Sequence, residues 1–140
     1  MKNILHSLLA VAALAVLATA CKHPETGAFT PQSATQFDTE NKEKFVLMDP
    51  GAQYSITCSG LQEMRLPDGR LKVVANVRNR ENRRLQVQIN CVFKDEQGFS
   101  TGDETPWQTL ILTENGQESV PFESMNDKAR KYTVRVRQAR

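Results

Sequence analysis

Histidine is almost absent from this 140-residue chain: His6 and His23 are the only two, and none follows between residue 24 and Arg140. That gap denies everything downstream a Ser–His or Cys–His nucleophile and a histidine-bearing zinc site. Aromatic residues are few, with Trp107 as the single tryptophan, which suits one small core and not two domains. Net charge is low, 18 Lys and Arg against 16 Asp and Glu. A nucleic-acid module would carry a clustered basic excess, so nucleic acid is excluded as a partner. No apolar run reaches the roughly 20 residues of a membrane-spanning helix.

What the sequence does have is a strongly marked N-terminus. Lys2 precedes the apolar stretch from Leu8 to Leu17, and small residues then run into Cys21. Residues 1–20 read as a secretory signal. A cysteine directly after such a stretch is the pattern of a bacterial lipoprotein, in which the signal is cut before the cysteine and the thiol is acylated. Leu17-Ala18-Thr19-Ala20-Cys21 resembles a lipobox, with Ala18 where leucine is usual. Ala18-Thr19-Ala20 also suits ordinary signal peptidase, which would leave a secreted chain with a free thiol. The position of the cysteine favours lipidation. One acyl chain binds a membrane only marginally, whereas the three chains of a lipoprotein anchor it firmly. Lys22, where Asp would retain an enteric lipoprotein at the inner membrane, points to the outer membrane with the domain in the periplasm. The covalent lipid on Cys21 is the only non-protein group expected, with no cofactor and no metal.

Without Lys2 the mature chain balances 17 basic against 16 acidic residues, a net charge near +1. Residues 21–44 combine Pro24, Gly27 and Pro31 with many Ser, Thr and Gln and show no periodicity. They read as a lipidated N-terminus and flexible tether of about 25–30 Å mean span. The Phe45-Val46-Leu47-Met48 run is expected to dock on the domain that follows.

From residue 45 to 140 the hydrophobic period is 2. Tyr54, Ile56 and Cys58 open a strand that continues from Leu61 through a bulge at Gly60. Pro67-Asp68-Gly69-Arg70 is a turn. Leu71, Val73, Ala75 and Val77 form one face of the next strand. Leu85, Val87, Ile89, Cys91 and Phe93 form the clearest apolar phase, with Gln86, Gln88, Asn90 and Lys94 opposite. After a loop at Gly102-Asp103-Glu104-Thr105-Pro106, a strand is expected over Trp107 to Leu112. Asn115-Gly116 marks a hairpin, a helical turn fits between Glu123 and Arg130, and Tyr132, Val134 and Val136 close the domain. About seven short strands, each apolar on one side, require two packed layers. The expected fold is all-β, an immunoglobulin-like antiparallel β-sandwich, with a small barrel as the alternative.

The order Val77-Arg78-Asn79-Arg80, Leu85-Gln86-Val87-Gln88-Ile89, Phe93-Lys94-Asp95-Glu96-Gln97-Gly98, Trp107, Leu110 and Tyr132-Thr133-Val134-Arg135-Val136-Arg137 resembles the YcfL-type small bacterial lipoproteins over about residues 70–137. The resemblance implies an immunoglobulin-like sandwich in the periplasm and no known catalytic residue. In enteric bacteria the family's gene neighbours that of a lipoprotein activator of a peptidoglycan synthase. The cysteine pair is not a hallmark of that family.

Candidate chemistry is sparse. Cys58 and Cys91 sit on apolar phases in an oxidising compartment, and two readings stand: a disulfide stabilising by roughly 3–4 kcal/mol, or two buried thiols. Asp95 with Glu96, and Asp103 with Glu104, are the carboxylate pairs available to a hydrolase or a weak calcium site, but turn-forming Asp and Glu are far commoner. Trp107 is either core or a partner anchor. Arg78, Arg80, Arg83 and Arg84 surround one turn while Arg135 and Arg137 lie near the C-terminus. Together with Trp107 they form a positive binding surface if the sheets bring Arg78 and Arg135 to one side, and otherwise a solvated exterior. The functional expectation is a non-enzymatic, membrane-anchored envelope lipoprotein whose module binds another envelope protein, with no small-molecule substrate evident. The alternative is direct binding of peptidoglycan or anionic lipid.

Overall fold

The computed structural model describes residues 43–139. Residues 1–42, on which the expected signal peptide, Cys21 and most of the expected tether fall, lie outside the described residues. Eight strands and one short helix follow one another: β1 Phe45–Leu47, α1 Pro50–Ser55, β2 Ile56–Arg65, β3 Leu71–Asn79, β4 Leu85–Lys94, β5 Ser100–Glu104, β6 Gln108–Leu112, β7 Gln117–Glu123 and β8 Lys131–Gln138. They form a two-sheet sandwich. One sheet has three strands in the order β2-β3-β7; the other runs β1-β8-β4-β5, with β6 also paired to β4.

Period-2 alternation explains the sandwich. Val73, Ala75 and Val77 of β3, with Val120 and Phe122 of β7, face Val87, Ile89, Cys91 and Phe93 of β4 and Tyr132, Val134 and Val136 of β8, and all are buried. β4 is the organising strand, antiparallel to β8 on one side and to β5 and β6 on the other. β1 pairs with β8 in parallel, Phe45 opposite Val134. The Phe45 run therefore docks as expected, although the pairing departs from a purely antiparallel sheet. Docking already involves Glu43 and Lys44, which were expected to end the tether: Val134 N–H donates to the Lys44 carbonyl and Thr133 Oγ1 to that of Glu43.

Three local expectations need correction. Tyr54 does not begin a strand but lies in α1, exposed. Asp49-Pro50 is a helix start in chemical terms, since Asp49 Oδ1 accepts from Ala52 N–H at 2.8 Å and Pro50 occupies the first turn, where its missing donor costs nothing. Residues 100–104, expected mostly as loop, form β5 by pairing Glu104 with Val92. Between Glu123 and Lys131 the described chain turns without a helix. The bulge next to Gly60 is present, the register shifting between Cys58 and Gly60. In the turn after β2, Gly69 has φ +84°, a conformation that glycine adopts without strain.

Candidate functional site

The outward face of the five-stranded sheet is polar, yet its centre is withdrawn from water. Register places Gln88 opposite Arg137, Asn90 opposite Arg135 and Val92 opposite Thr133 on the paired β4 and β8. Asn90 and Thr133 are fully or almost fully buried, and Lys94 is only 6% exposed. Desolvated polar groups are tolerated only when hydrogen-bonded, and here they interlock. Lys94 Nζ donates to Thr133 Oγ1 at 2.9 Å. Arg135 Nε donates to Asn90 Oδ1 at 3.0 Å, Asn90 Nδ2 to Glu104 Oε1 at 2.7 Å, and a second Arg135 nitrogen to the same Glu104 oxygen. Arg137 Nε donates to Gln88 Oε1 at 2.9 Å. Every buried side-chain nitrogen and oxygen among the described residues has a partner.

Trp107 belongs to this face and not to the core cluster. Its ring is approached by the guanidinium carbons of Arg137 at 4.0 Å and Arg135 at 5.2 Å, an arrangement favoured by the ring quadrupole. Beside it a cleft of about 210 Å³ is lined by Val92, Lys94, Gly98, Ser100, Glu104, Thr133 and Arg135. A second cleft, of about 240 Å³, opens on the other sheet over Gly60, Leu61, Gln62, Val74, Asn76 and Ser119 and has no charged lining.

The arginines do not share one surface. Arg78, on β3 opposite Thr57 and Gln117, points outward from the three-stranded sheet, away from Arg135. Arg80 caps α1 by donating to the Gln53 carbonyl at 3.0 Å and to that of Tyr54. Arg83 pairs with Glu81, and Arg84 is exposed in the same turn. The single positive face is therefore replaced by a compact group of Trp107, Arg135 and Arg137, with the other arginines serving the β3–β4 turn and the opposite face. Asn90, Gln88, Glu104, Lys94 and Thr133 complete that group. Glu104 stands out in the sequence only as a loop carboxylate beside Asp103, and nothing marks Gln88, Asn90, Lys94 and Thr133, because the polar phase of a strand ordinarily means solvent.

Asp103 is buried and accepts from Met125 N–H, while Glu104, the next residue on β5, faces outward to Arg135. Adjacent strand residues point to opposite sides, so the two carboxyls do not converge. Asp95 Oδ1 accepts from Phe99 N–H at 2.9 Å and forms a turn. No group of three potential metal ligands occurs among the described residues. Cys58 and Cys91 stand as free thiols. Burial pushes both above the usual thiol range, Cys91 to about 12 with a further contribution from Asp103.

The family model described as "Protein of unknown function (DUF1425)" matches residues 43–138. The chain belongs to the DUF1425 family. A crystal structure of a DUF1425 family member from Shewanella sp. pv-4 is similar, with TM-score 0.55 and 22% identity over 61% of this chain and 79% of that one. The crystal structure of Campylobacter jejuni cj0090 is also similar, with TM-score 0.56 and 14% identity over 69% of this chain and 98% of that one. At these identities the likeness concerns the fold alone. No curated protein matches the chain.

Proposed function

We propose that this DUF1425 member is of the YcfL type: a non-enzymatic bacterial lipoprotein, anchored through Cys21 to the outer membrane, whose sandwich binds another envelope protein in the periplasm. The supporting observation is the outer face of the five-stranded sheet. A solvated exterior has no need to withdraw Lys94, Asn90 and Thr133 from water and lock Arg135 between Asn90 and Glu104. Preorganised charged groups around a cleft suit recognition, because little side-chain entropy remains to be lost on binding. The divergence of Asp103 and Glu104 and the histidine-free domain favour binding over hydrolysis. A lipid anchor with a polar tether raises the effective concentration of such a module near other envelope components.

In-cell crosslinking of the native lipoprotein with mass spectrometry, run beside a Cys21→Ser variant, tests this reading. One dominant envelope protein, lost in the variant, is the expected result. Adducts of peptidoglycan or lipid alone, or no enriched protein, would replace it with the wall- or lipid-binding module. The dispersal of Arg78, Arg80, Arg83 and Arg84 away from Arg135 gives that alternative less surface to work with.

A further inference from the structure

We infer that β6 is a self-association edge, on which a second copy of this chain lays its own β6 antiparallel and joins the two five-stranded sheets into one. The inference goes beyond the adaptor reading and does not depend on the identity of an envelope partner.

An unpaired strand edge offers alternate N–H and C=O groups to another strand, and folded proteins blunt such edges with charge, proline, bulges or shortness. Among the described residues the edge strands are β1, β5 and β6 of one sheet and β2 and β7 of the other. β1 has only three residues. β2 carries Glu63, Arg65 and the register shift next to Gly60. β5 carries Asp103 and Glu104 and is kinked at Gly102, φ +77°. β7 carries Pro121 between Glu118 and Glu123. β6 has none of these devices. Its five residues run in unbroken register with β4 and include no charge, no proline and no glycine. Its other side has no paired strand among the described residues, and Ile111 is 45% exposed.

The strand also matches itself, which identifies the occupant. A two-fold axis at Leu110, the middle residue of β6, sets Thr109 opposite Ile111 of the second copy, twice by symmetry. Thr109 and Ile111 are exposed, and a sheet favours such β-branched cross-strand pairs. On the inner side Leu110, packed against the core, meets the Leu110 of the second copy. No pair sets like charges opposite. The edge is held ready at both ends: Thr105 N–H donates to the Cys91 carbonyl at 2.9 Å before β6, and the Thr113 carbonyl accepts from Asn79 Nδ2 at 2.8 Å after it. Little ordering is left for association to impose. Five paired residues fall short of the roughly 1,200 Å² of a stable interface, so the dimer is weak in dilute solution and grows where a shared membrane concentrates anchored copies. Edge pairing leaves the outer face of each sheet open, and the two faces become continuous across the seam.

Sedimentation equilibrium of the full lipoprotein, in a density-matched neutral detergent with micelles in excess over protein, reads the association across a wide concentration range. A reversible monomer–dimer equilibrium is expected. Ile111→Lys, which adds the charge that the other edges carry, should weaken it at least about tenfold. Thr109→Glu together with Ile111→Lys should restore it, because each Glu then stands opposite a Lys of the second copy; Thr109→Lys together with Ile111→Lys should not. Both positions are exposed, so these variants keep the fold. In cells, a photocrosslinking residue at Thr109 should yield two copies of the chain joined near Ile111. A monomer at every concentration, a dimer that Ile111→Lys leaves unchanged, no recovery in the Glu/Lys variant, or Thr109 crosslinks only to a different protein would overturn the inference. The adaptor reading would survive any of these results, since it concerns the open outer face and is tested by the Cys21→Ser comparison.

Discussion

Arg137 lies with its guanidinium carbon 4.0 Å from the centre of the Trp107 ring, on the outside of the sandwich. The only tryptophan is thus committed to a surface cation, not to the core. Removing the cation should cost about 0.5–1 kcal/mol, so Arg137→Ala is expected to lower the urea midpoint slightly. Trp107→Ala should cost about 1–2 kcal/mol, well short of the ~3–5 kcal/mol of a core aromatic. A core-sized loss on urea denaturation would place the ring inside after all.

Asn79 is the strongest polar tie among the turns. Fully buried, it donates through Nδ2 to the Arg83 carbonyl at 2.6 Å and the Thr113 carbonyl at 2.8 Å, and its Oδ1 accepts from Glu81 N–H at 2.8 Å. It therefore links the β3–β4 turn to the turn between β6 and β7. Asn79→Ala leaves two carbonyls and one N–H without these partners, and a loss of about 2–4 kcal/mol is expected. Asn79→Asp should be worse, since it aims a carboxylate at two carbonyls. A change below about 0.5 kcal/mol for Asn79→Ala in urea unfolding would show that water replaces these bonds freely.

The two domain cysteines should behave as inert thiols. Cys91 is buried, with its thiol pushed up to about 12 by burial first and Asp103 second, so almost no thiolate exists at neutral pH. Maleimide labelling followed by mass spectrometry should leave Cys91 unmodified in the folded protein and modify it in denaturant. A peptide in which Cys58 and Cys91 are joined, and labelled in denaturant only after reduction, would restore the disulfide reading.

Acid should loosen the edge where the two sheets meet. Lys44 Nζ bonds Glu63 Oε2 at 2.8 Å and lies 5.3 Å from the centre of the Tyr132 ring. The Lys44 hydrogen bond, more than its charge, holds Glu63 below the ordinary glutamate value of 4.5, and Tyr132 adds a further hydrogen bond. A carboxylate depressed on folding contributes stability that is fully present above its unfolded pKa and is lost as pH falls through the folded one. Stability should thus fall below pH 4.5, and Glu63→Gln should flatten that part of the profile. An unchanged acid limb in the variant would assign the loss to Asp68 and Glu81, which Arg70 and Arg83 depress in the same way.

Most of the fold was legible because period-2 alternation carries the physics of a half-buried strand: Val73 to Val77, Val87 to Phe93 and Tyr132 to Val136 all face the core as their spacing requires. Tyr54 misled because its alternation with Ile56 mimics a strand, whereas the stronger signal was Asp49-Pro50, a cap and a first-turn proline. β5 was hidden because Ser100 to Glu104 has almost no apolar residue and owes its strand to pairing with β4. The candidate site was half legible. Trp107, Arg135 and Arg137 stood out by residue type, but nothing local marks Asn90 as buried. Its burial follows from β4 having neighbours on both sides and arginine side chains laid across it, which is tertiary information.

The most direct test places a photocrosslinking residue, in cells, at Phe99 in the turn between β4 and β5 or at Ile111 on the outer face of the five-stranded sheet, and at Met64 on the three-stranded sheet as the comparison. All three positions are exposed. Crosslinks from Phe99 and Ile111 to one common envelope protein, with none from Met64, are the predicted result. Crosslinks from Met64 alone, or the same products from all three positions, would contradict the assignment of this face as the binding surface.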